Sequence, residues 1–427
     1  MKSGFVIAAL SSGSGKTTLT LGLLRAFRRR GVSVAPFKCG PDYIDTSFHR
    51  VAAGCDSTNL DLFMGSEDLC RRLFARESAK AQVSVVEGVM GLFDGYDCDK
   101  GSAAHVARTL GLPVVLLVDA SSKAYSTAAM IFGFKHFRPD MKIAGVVFNR
   151  VASDRHLRLL KQACRDADTE LLGAIRRNNA LVTPSRHLGL TLTGLDDTER
   201  FIEAAADAVE DQVNINRILE VTAMAETTAS SEFEYPAMPW RRIAVARDEA
   251  FSFIYPENVR VLAGGASPVY FSPLRDKAVP PADMIYLPGG YPELYAEHLA
   301  ANESMRRSIR DYCESGRHMI AECGGLLYLC RDIDGSDMCG VLPMSATMEG
   351  ARLHLGYRTV KIGDAEFRGH EFHYSTIKNP DALPSVAVQT DAAGNKVDTP
   401  LYRYKNTIAG YTHLYWAETP LGQLFEL

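Results

Sequence analysis

The chain has 427 residues, 46% hydrophobic and 23% charged, with a net charge of −4. That length exceeds one hydrophobic core and suits two folded domains. The near balance of charge excludes a basic field that would draw in nucleic acid, and no run reaches the ~18 uncharged apolar residues of a membrane span.

The start, MKSG followed by the strand-like GFVIAAL, has no apolar stretch before a cleavage site, so a cytoplasmic protein is expected. From Gly4 to about Asn149, FVIAAL, VSVAPF, VSVVEG, PVVLLVDA and IAGVVFN read as buried strands separated by helical patterns. Such continuous apolar runs predict a parallel sheet covered on both faces. Between the first two, Lys16 to Arg30 carries apolar residues at 19, 23, 24 and 27 and stops at Gly31, which predicts an amphipathic helix. Helical patterns continue to about Glu220, giving a first domain over 1–220.

Residues 221–240 lose periodicity and read as a linker, and a second domain is expected over 241–427. There RRIAVAR, SPVYFSP, DMIYLPGG and HMIAEC predict strands, with helix around 292–316 and a strand-rich tail.

SSGSGKTT, residues 11–18, follows a predicted strand and opens a predicted helix, the context of a phosphate-binding loop. Gly13, Ser14 and Gly15 would wrap the phosphates, Lys16 would reach the β- and γ-oxygens, and Thr17, followed by Thr18, would offer its hydroxyl to Mg²⁺. The leading glycine of the strict pattern is Leu10 here. Further hard oxygens are available from Asp42 and Asp45 in KCGPDYIDTSFH and from Glu87, Asp94 and Asp97 in VVEGVMGLFDGYD.

Nine cysteines are scattered without a C-x-x-C pair, so a special one needs a local reason. Cys323 in AECGG has one: Ala321 and Gly325 stand two residues to either side, the small-x-nucleophile-x-small form of a nucleophile elbow. Such a turn is expected to expose the sulfur and lower its pKa through the helix N-terminus that follows. His413 in GYTHLYW is the candidate base, and the backbone N–H groups of Gly290 and Gly324 are the candidate oxyanion hole.

Together these segments resemble the cobyrinic acid a,c-diamide synthase family, in which an ATP-dependent amide-forming domain is joined to a class I glutamine amidotransferase domain. The resemblance rests on SSGSGKTT, KCGPDYID, VVEGVMGLFDG and GVVFNRVAS, then on RIAVARDEAFSF, YPEN, YLPGGYPELYA, AECGGLLYL, GHEFHYS and GYTHLYW. It implies an α/β protein: an N-terminal P-loop, dethiobiotin-synthetase-like, doubly wound parallel sheet and a C-terminal amidotransferase α/β domain. It maps the nucleophile onto Cys323 and its histidine onto His413. Tyr415 stands where many amidotransferases place a triad acid, which implies a Cys–His dyad oriented by another group.

The implied reaction uses ATP to phosphorylate a corrin carboxylate, with Mg²⁺ held by Thr17, Asp42 and Glu87 and with Asp45, Asp94 and Asp97 behind them. Tyr43 would lie against the macrocycle, and Arg150, Arg155 and His156 are candidate grips for its carboxylates. Cys323 would free ammonia from glutamine for delivery through a dry passage. The expected partners are small molecules, a homodimer is compatible, and nucleic acid and membrane are excluded. Hydrogenobyrinic acid, nickel-sirohydrochlorin and cobyric acid synthases are alternatives of the same build. A P-loop switch ATPase is the rival from another class, but its signature lysine position is Ser11. In a further reading the C-terminal half is a dead amidotransferase used only for binding.

Overall fold

The computed structural model describes residues 2–181, 195–225, 235, 238–419 and 421–425. These divide into two compact units, residues 1–233 and 234–427.

The first unit is built on one sheet ordered β3-β2-β4-β1-β5-β6-β7. Its strands are β1 (Lys2–Ala9), β2 (Val34–Cys39), β3 (Thr58–Leu60), β4 (Val83–Glu87), β5 (Val114–Asp119), β6 (Ile143–Val151) and β7 (Leu171–Arg176). All seven run parallel. The apolar runs form its buried middle, as expected of strands covered on both faces. Strand β1 is central, between β4 and β5, and Ile7 pairs with Glu87, so the loops after β1 and β4 open side by side. This is where an α/β sheet presents a ligand crevice.

Two strands fall where only helix was expected or nothing was read. Strand β7, LLGAIR, is half-exposed and interrupted by Gly173, so its apolar signal is weak. Strand β3 has only three residues. The predicted linker begins inside the first unit: Val221 ends a helix from Ile215, and β8 (Ala223–Met224) pairs antiparallel with β1. Its stretch 226–234 and residues 236–237 lie outside the described residues.

The second unit has a six-stranded sheet: β10 (Val269–Phe271), β9 (Ile243–Ala246), β11 (Met284–Leu287), β12 (His318–Glu322), then the strands Thr407–Gly410 and Leu401–Tyr404. Only the last of these is antiparallel to its neighbour. A separate antiparallel sheet contains the long strands His354–Ile362 and Ala365–His373 and the short strand His413–Tyr415. Residues 410–413 thus carry the chain from beside β12 into the second sheet. Among the described residues no helix is long and apolar enough to cross a membrane.

Candidate active sites

Helix α1 (Lys16–Arg29) starts on the phosphate loop, with Gly15 before it at φ 98°. That left-handed backbone favours glycine, and a Cβ there would strike the Asn149 amide, which donates to Ser14 O at 2.8 Å. Arg150 also braces the loop, donating to Gly13 O at 3.0 Å and pairing with Asp119. Ser14 Oγ donates to Ser11 O, and Thr18 is buried within α1.

Thr17 Oγ1 donates to Glu87 Oε1 at 2.7 Å and faces Asp45 Oδ1 at 3.4 Å. The Lys38 ammonium joins the same group, 2.5 Å from Asp45 and 3.1 Å from Glu87. Glu87 turns its other oxygen to His49 Nε2 at 2.7 Å, and His49 Nδ1 meets Ser57 Oγ at 3.0 Å. Lys16 donates to the carbonyls of Met90 and Ser11. The sequence reading missed Lys38 and His49. Lys38 is the penultimate residue of β2 and His49 lies one turn and a half into α2 (Ile44–Ala53), and each meets Glu87 only through tertiary structure.

Electrostatics follow from this crowding. Burial works against the Lys38 ammonium, yet Asp45 and Glu87 hold it well above its usual range. Burial also opposes the Glu87 anion, but Lys38 and His49 hold its carboxyl far below the usual range. Asp45 is pushed up by burial and by Asp42. Lys16 is lowered by burial and by the like charge of Lys38, so it is poised to gain from an arriving anion.

The other predicted carboxylates have different duties. Asp42 Oδ1 accepts the Asp45 N–H at 2.8 Å and so starts α2, which leaves Asp45 facing Thr17 in its stead. Asp94 accepts from Gly91 N–H and shapes the loop after β4, and Asp97 is paired with exposed Lys100. Tyr43 is buried ahead of α2. His156 accepts from Ala152 N–H on Nδ1 and donates from Nε2 to Lys123 O, so it serves as a local brace, and Arg155 is exposed on the same helix.

In the second unit Cys323 sits between β12 and a six-residue helix, Gly324–Leu329, at φ 50° and ψ −102°. This is a strained elbow for a non-glycine residue, anchored by the Cys323 N–H donating to Gly410 O at 2.7 Å. A Cβ on Gly325 would collide with Leu287 O, so the small residue after the elbow is a steric necessity. A Cβ on Gly324 would stand 3.0 Å from Gly290 N, which places that N–H at the elbow. Gly289, its neighbour, lies against the imidazole of His413. One glycine turn thus lies beside both the His413 imidazole and Gly324, the residue that follows the thiol.

The expected exposed, acidified thiol is not what the structure shows. Cys323 is 4% exposed, and burial, then Glu293, Glu322 and Glu371, push the thiol up. Desolvation outweighs the dipole of so short a helix. Burial, with His370 and His373 nearby, holds His413 well below its usual value. The resting pair is thus neutral thiol and neutral imidazole.

The motif GHEFHYS supplies further groups beside the elbow. Glu371 and His373, two residues apart on one strand and hence on one face, differ in partner: Arg358 grips Glu371 at 3.0 and 2.8 Å, and His373 stacks on Tyr411 at 3.7 Å. Phe372 O lies 3.8 Å from the Cys323 sulfur.

Comparison with known proteins agrees with this geometry. Residues 5–190 match the CobQ/CobB/MinD/ParA nucleotide-binding domain, and residues 242–421 match the CobB/CobQ-like glutamine amidotransferase domain. The chain is 39% identical to a cobyrinate a,c-diamide synthase of Listeria innocua, with 98% of each chain covered. It is 40% identical to a hydrogenobyrinate a,c-diamide synthase of Brucella abortus, with 96% of this chain and 98% of the relative covered. A cobyrinate a,c-diamide synthase of Dehalococcoides mccartyi is 38% identical, with 97% and 95% covered. On this full-length similarity, and with both domains present, the chain belongs to the a,c-diamide synthase family of glutamine-dependent amide ligases.

Proposed function

We propose that the chain converts the a and c acetate carboxylates of cobyrinic acid to amides, using ATP and glutamine. The observation that carries this reading is the presence in one chain of a lysine–threonine–carboxylate phosphate site and of a cysteine elbow whose neighbouring glycine turn also abuts a histidine.

A carboxylate does not react usefully with ammonia because oxide is a poor leaving group. In the first half-reaction a substrate carboxylate oxygen attacks the γ-phosphorus of ATP, ADP leaves, and an acyl phosphate forms. Lys16 gives up its carbonyl partners to neutralise the phosphates, and Lys38 offsets charge on the moving group. Ammonia then attacks the acyl carbon and phosphate leaves.

Magnesium suits the residues present. Thr17, Asp45 and Glu87 are hard-oxygen donors, and among the described residues no group of three His, Cys, Asp or Glu side chains could hold a metal alone. Mg²⁺ characteristically takes one or two carboxylates and completes its shell with substrate phosphates and water. When bound it would offset phosphate charge. His49 fixes Glu87, and Asp42 fixes the backbone that presents Asp45.

In the second half-reaction the Cys323 sulfur bonds to the glutamine carboxamide carbon as its proton passes to His413. Gly290 and Gly324 N–H groups receive the oxyanion, His413 returns the proton to nitrogen, and ammonia departs. Water, deprotonated by His413, cleaves the thioester to glutamate. The partners are small molecules, the setting is cytoplasmic, where ATP and glutamine are plentiful, and a homodimer is the assembly to test by light scattering.

The relatives' names favour hydrogenobyrinic acid as the second reading. A panel of cobyrinic acid, hydrogenobyrinic acid and nickel-sirohydrochlorin, each with ATP, Mg²⁺ and glutamine, tests both. Product masses should show two hydroxyl-to-amino exchanges on the corrin. Turnover confined to nickel-sirohydrochlorin would refute the reading.

A further inference from the structure

We propose that Glu322, together with Asn258, is the positioning device for His413, filling the role that a triad acid would otherwise have. The proposal rests on the reading of Cys323 and His413 as the glutamine-cleaving pair.

The strand that carries the histidine is only three residues long, and it pairs along one edge with Ala365–His373, in the register His370 with His413 and Gly369 with Leu414. Its other edge is held by side chains. The Leu414 N–H donates to Glu322 Oε1 at 3.0 Å, and Leu414 O accepts from Asn258 Nδ2 at 2.7 Å. Asn258 Oδ1 also accepts the Trp416 N–H at 2.9 Å. An asparagine amide that gives and takes in this way imitates the peptide group of a missing neighbouring strand. Glu322 is fixed in turn by the Tyr286 hydroxyl, which donates to its other oxygen at 2.7 Å. All of these groups are buried.

Position in the chain makes this more than a satisfied buried acid. Glu322 immediately precedes the nucleophile Cys323, and Leu414 immediately follows the base His413. One side-chain hydrogen bond therefore ties the backbone at the nucleophile to the backbone at the base. It acts with the Cys323 N–H bond to Gly410 O, three residues before the histidine. From the opposite side Gly289 closes on the imidazole, so the ring is confined between a glycine turn and a clamped strand. Burial raises the Glu322 carboxyl to about 8, which keeps most of its negative charge off at neutral pH, although in its ionised form it is one of the groups that push the Cys323 thiol up. An ionised carboxylate in that place would oppose the thiolate.

A displacement of about 1 Å between reacting groups costs on the order of 10²-fold in rate, which sets the expected effect. The full-length protein carrying Glu322→Ala, Asn258→Ala or Glu322→Gln is assayed for glutamate release and for synthesis driven by ammonium chloride. The two alanine variants should lose about 10²-fold in glutaminase kcat with little change in KM for glutamine, and retain ammonia-driven synthesis. Glu322→Gln, which keeps an acceptor for Leu414, should restore most of the rate. If Glu322→Ala does not fold, Asn258→Ala carries the same kcat-against-KM test. Alanine variants with wild-type kcat, a loss confined to KM, or a glutamine variant as damaged as the alanine one would each overturn the proposal. A wild-type chain that releases no glutamate would overturn the underlying reading as well.

Discussion

Gly289 lies flush against the imidazole of His413, so close that a single added methyl group would collide with the ring. The glycine pair in LPGGYPE therefore has two distinct duties. Gly289 makes room for the base, and Gly290 brings its N–H to the elbow at Gly324. Gly289→Ala should push His413 away from Cys323 and lower glutamate release by about 10²-fold or more, while ammonia-driven synthesis persists. Parallel assays with glutamine and ammonium chloride measure this, and equal loss with both nitrogen sources would count against it.

The burial of Cys323 sets its reactivity. With the thiol pushed up and His413 held neutral, there is no resting thiolate–imidazolium pair. In glutamine-free protein near neutral pH, iodoacetamide should label exposed Cys98 well before Cys323. Peptide mapping over time gives the order. Preferential early labelling of Cys323 would contradict a neutral pair.

Glu322 also predicts how stability varies with pH. Its folded carboxyl titrates at about 8, against roughly 4.3 for an unfolded glutamate. Between those values the folded chain holds a proton that the unfolded chain has lost, so stability declines as pH rises, by up to about 1.4 kcal/mol per unit. Glu322→Gln lacks this proton and should show a shallower decline from about pH 5 to about pH 8. Both tryptophans, Trp240 and Trp416, lie in the second unit, so their fluorescence during urea unfolding reports on that unit. Identical slopes for the two proteins would be inconsistent with a raised Glu322.

At the phosphate end, Lys38→Ala and Asp45→Asn should each reduce ATP-dependent synthesis by about 10²- to 10³-fold, the cost of removing a preorganised charge partner. The chemistry of Cys323 lies in the other unit, so glutamate release measured alone should change far less. Full ATP-dependent turnover by Lys38→Ala would remove this lysine from the reaction.

What could be read from sequence was local. Continuous apolar runs revealed β1, β2, β4, β5 and β6, because a parallel strand buried on both faces is made mostly of apolar residues. The elbow was legible because its steric rule spans five consecutive residues. Lys38, His49 and the Glu322–Leu414 bond were not, because each depends on a partner 38 to 92 residues away. Asp42 and Asp45 could not be told apart from spacing alone: the backbone turn decides which carboxylate accepts a backbone N–H at the start of α2 and which faces Thr17. The thiol pKa was misjudged because the turn geometry does not reveal what covers the sulfur.

The most direct test of the coupled reaction is the Cys323→Ala protein supplied with ATP, Mg²⁺ and cobyrinic acid, with product mass followed separately under glutamine and under ammonium chloride. Two amide groups should still be installed with ammonium chloride and none with glutamine. Undiminished amidation from glutamine would contradict the assignment of Cys323 as the source of nitrogen for the ligase.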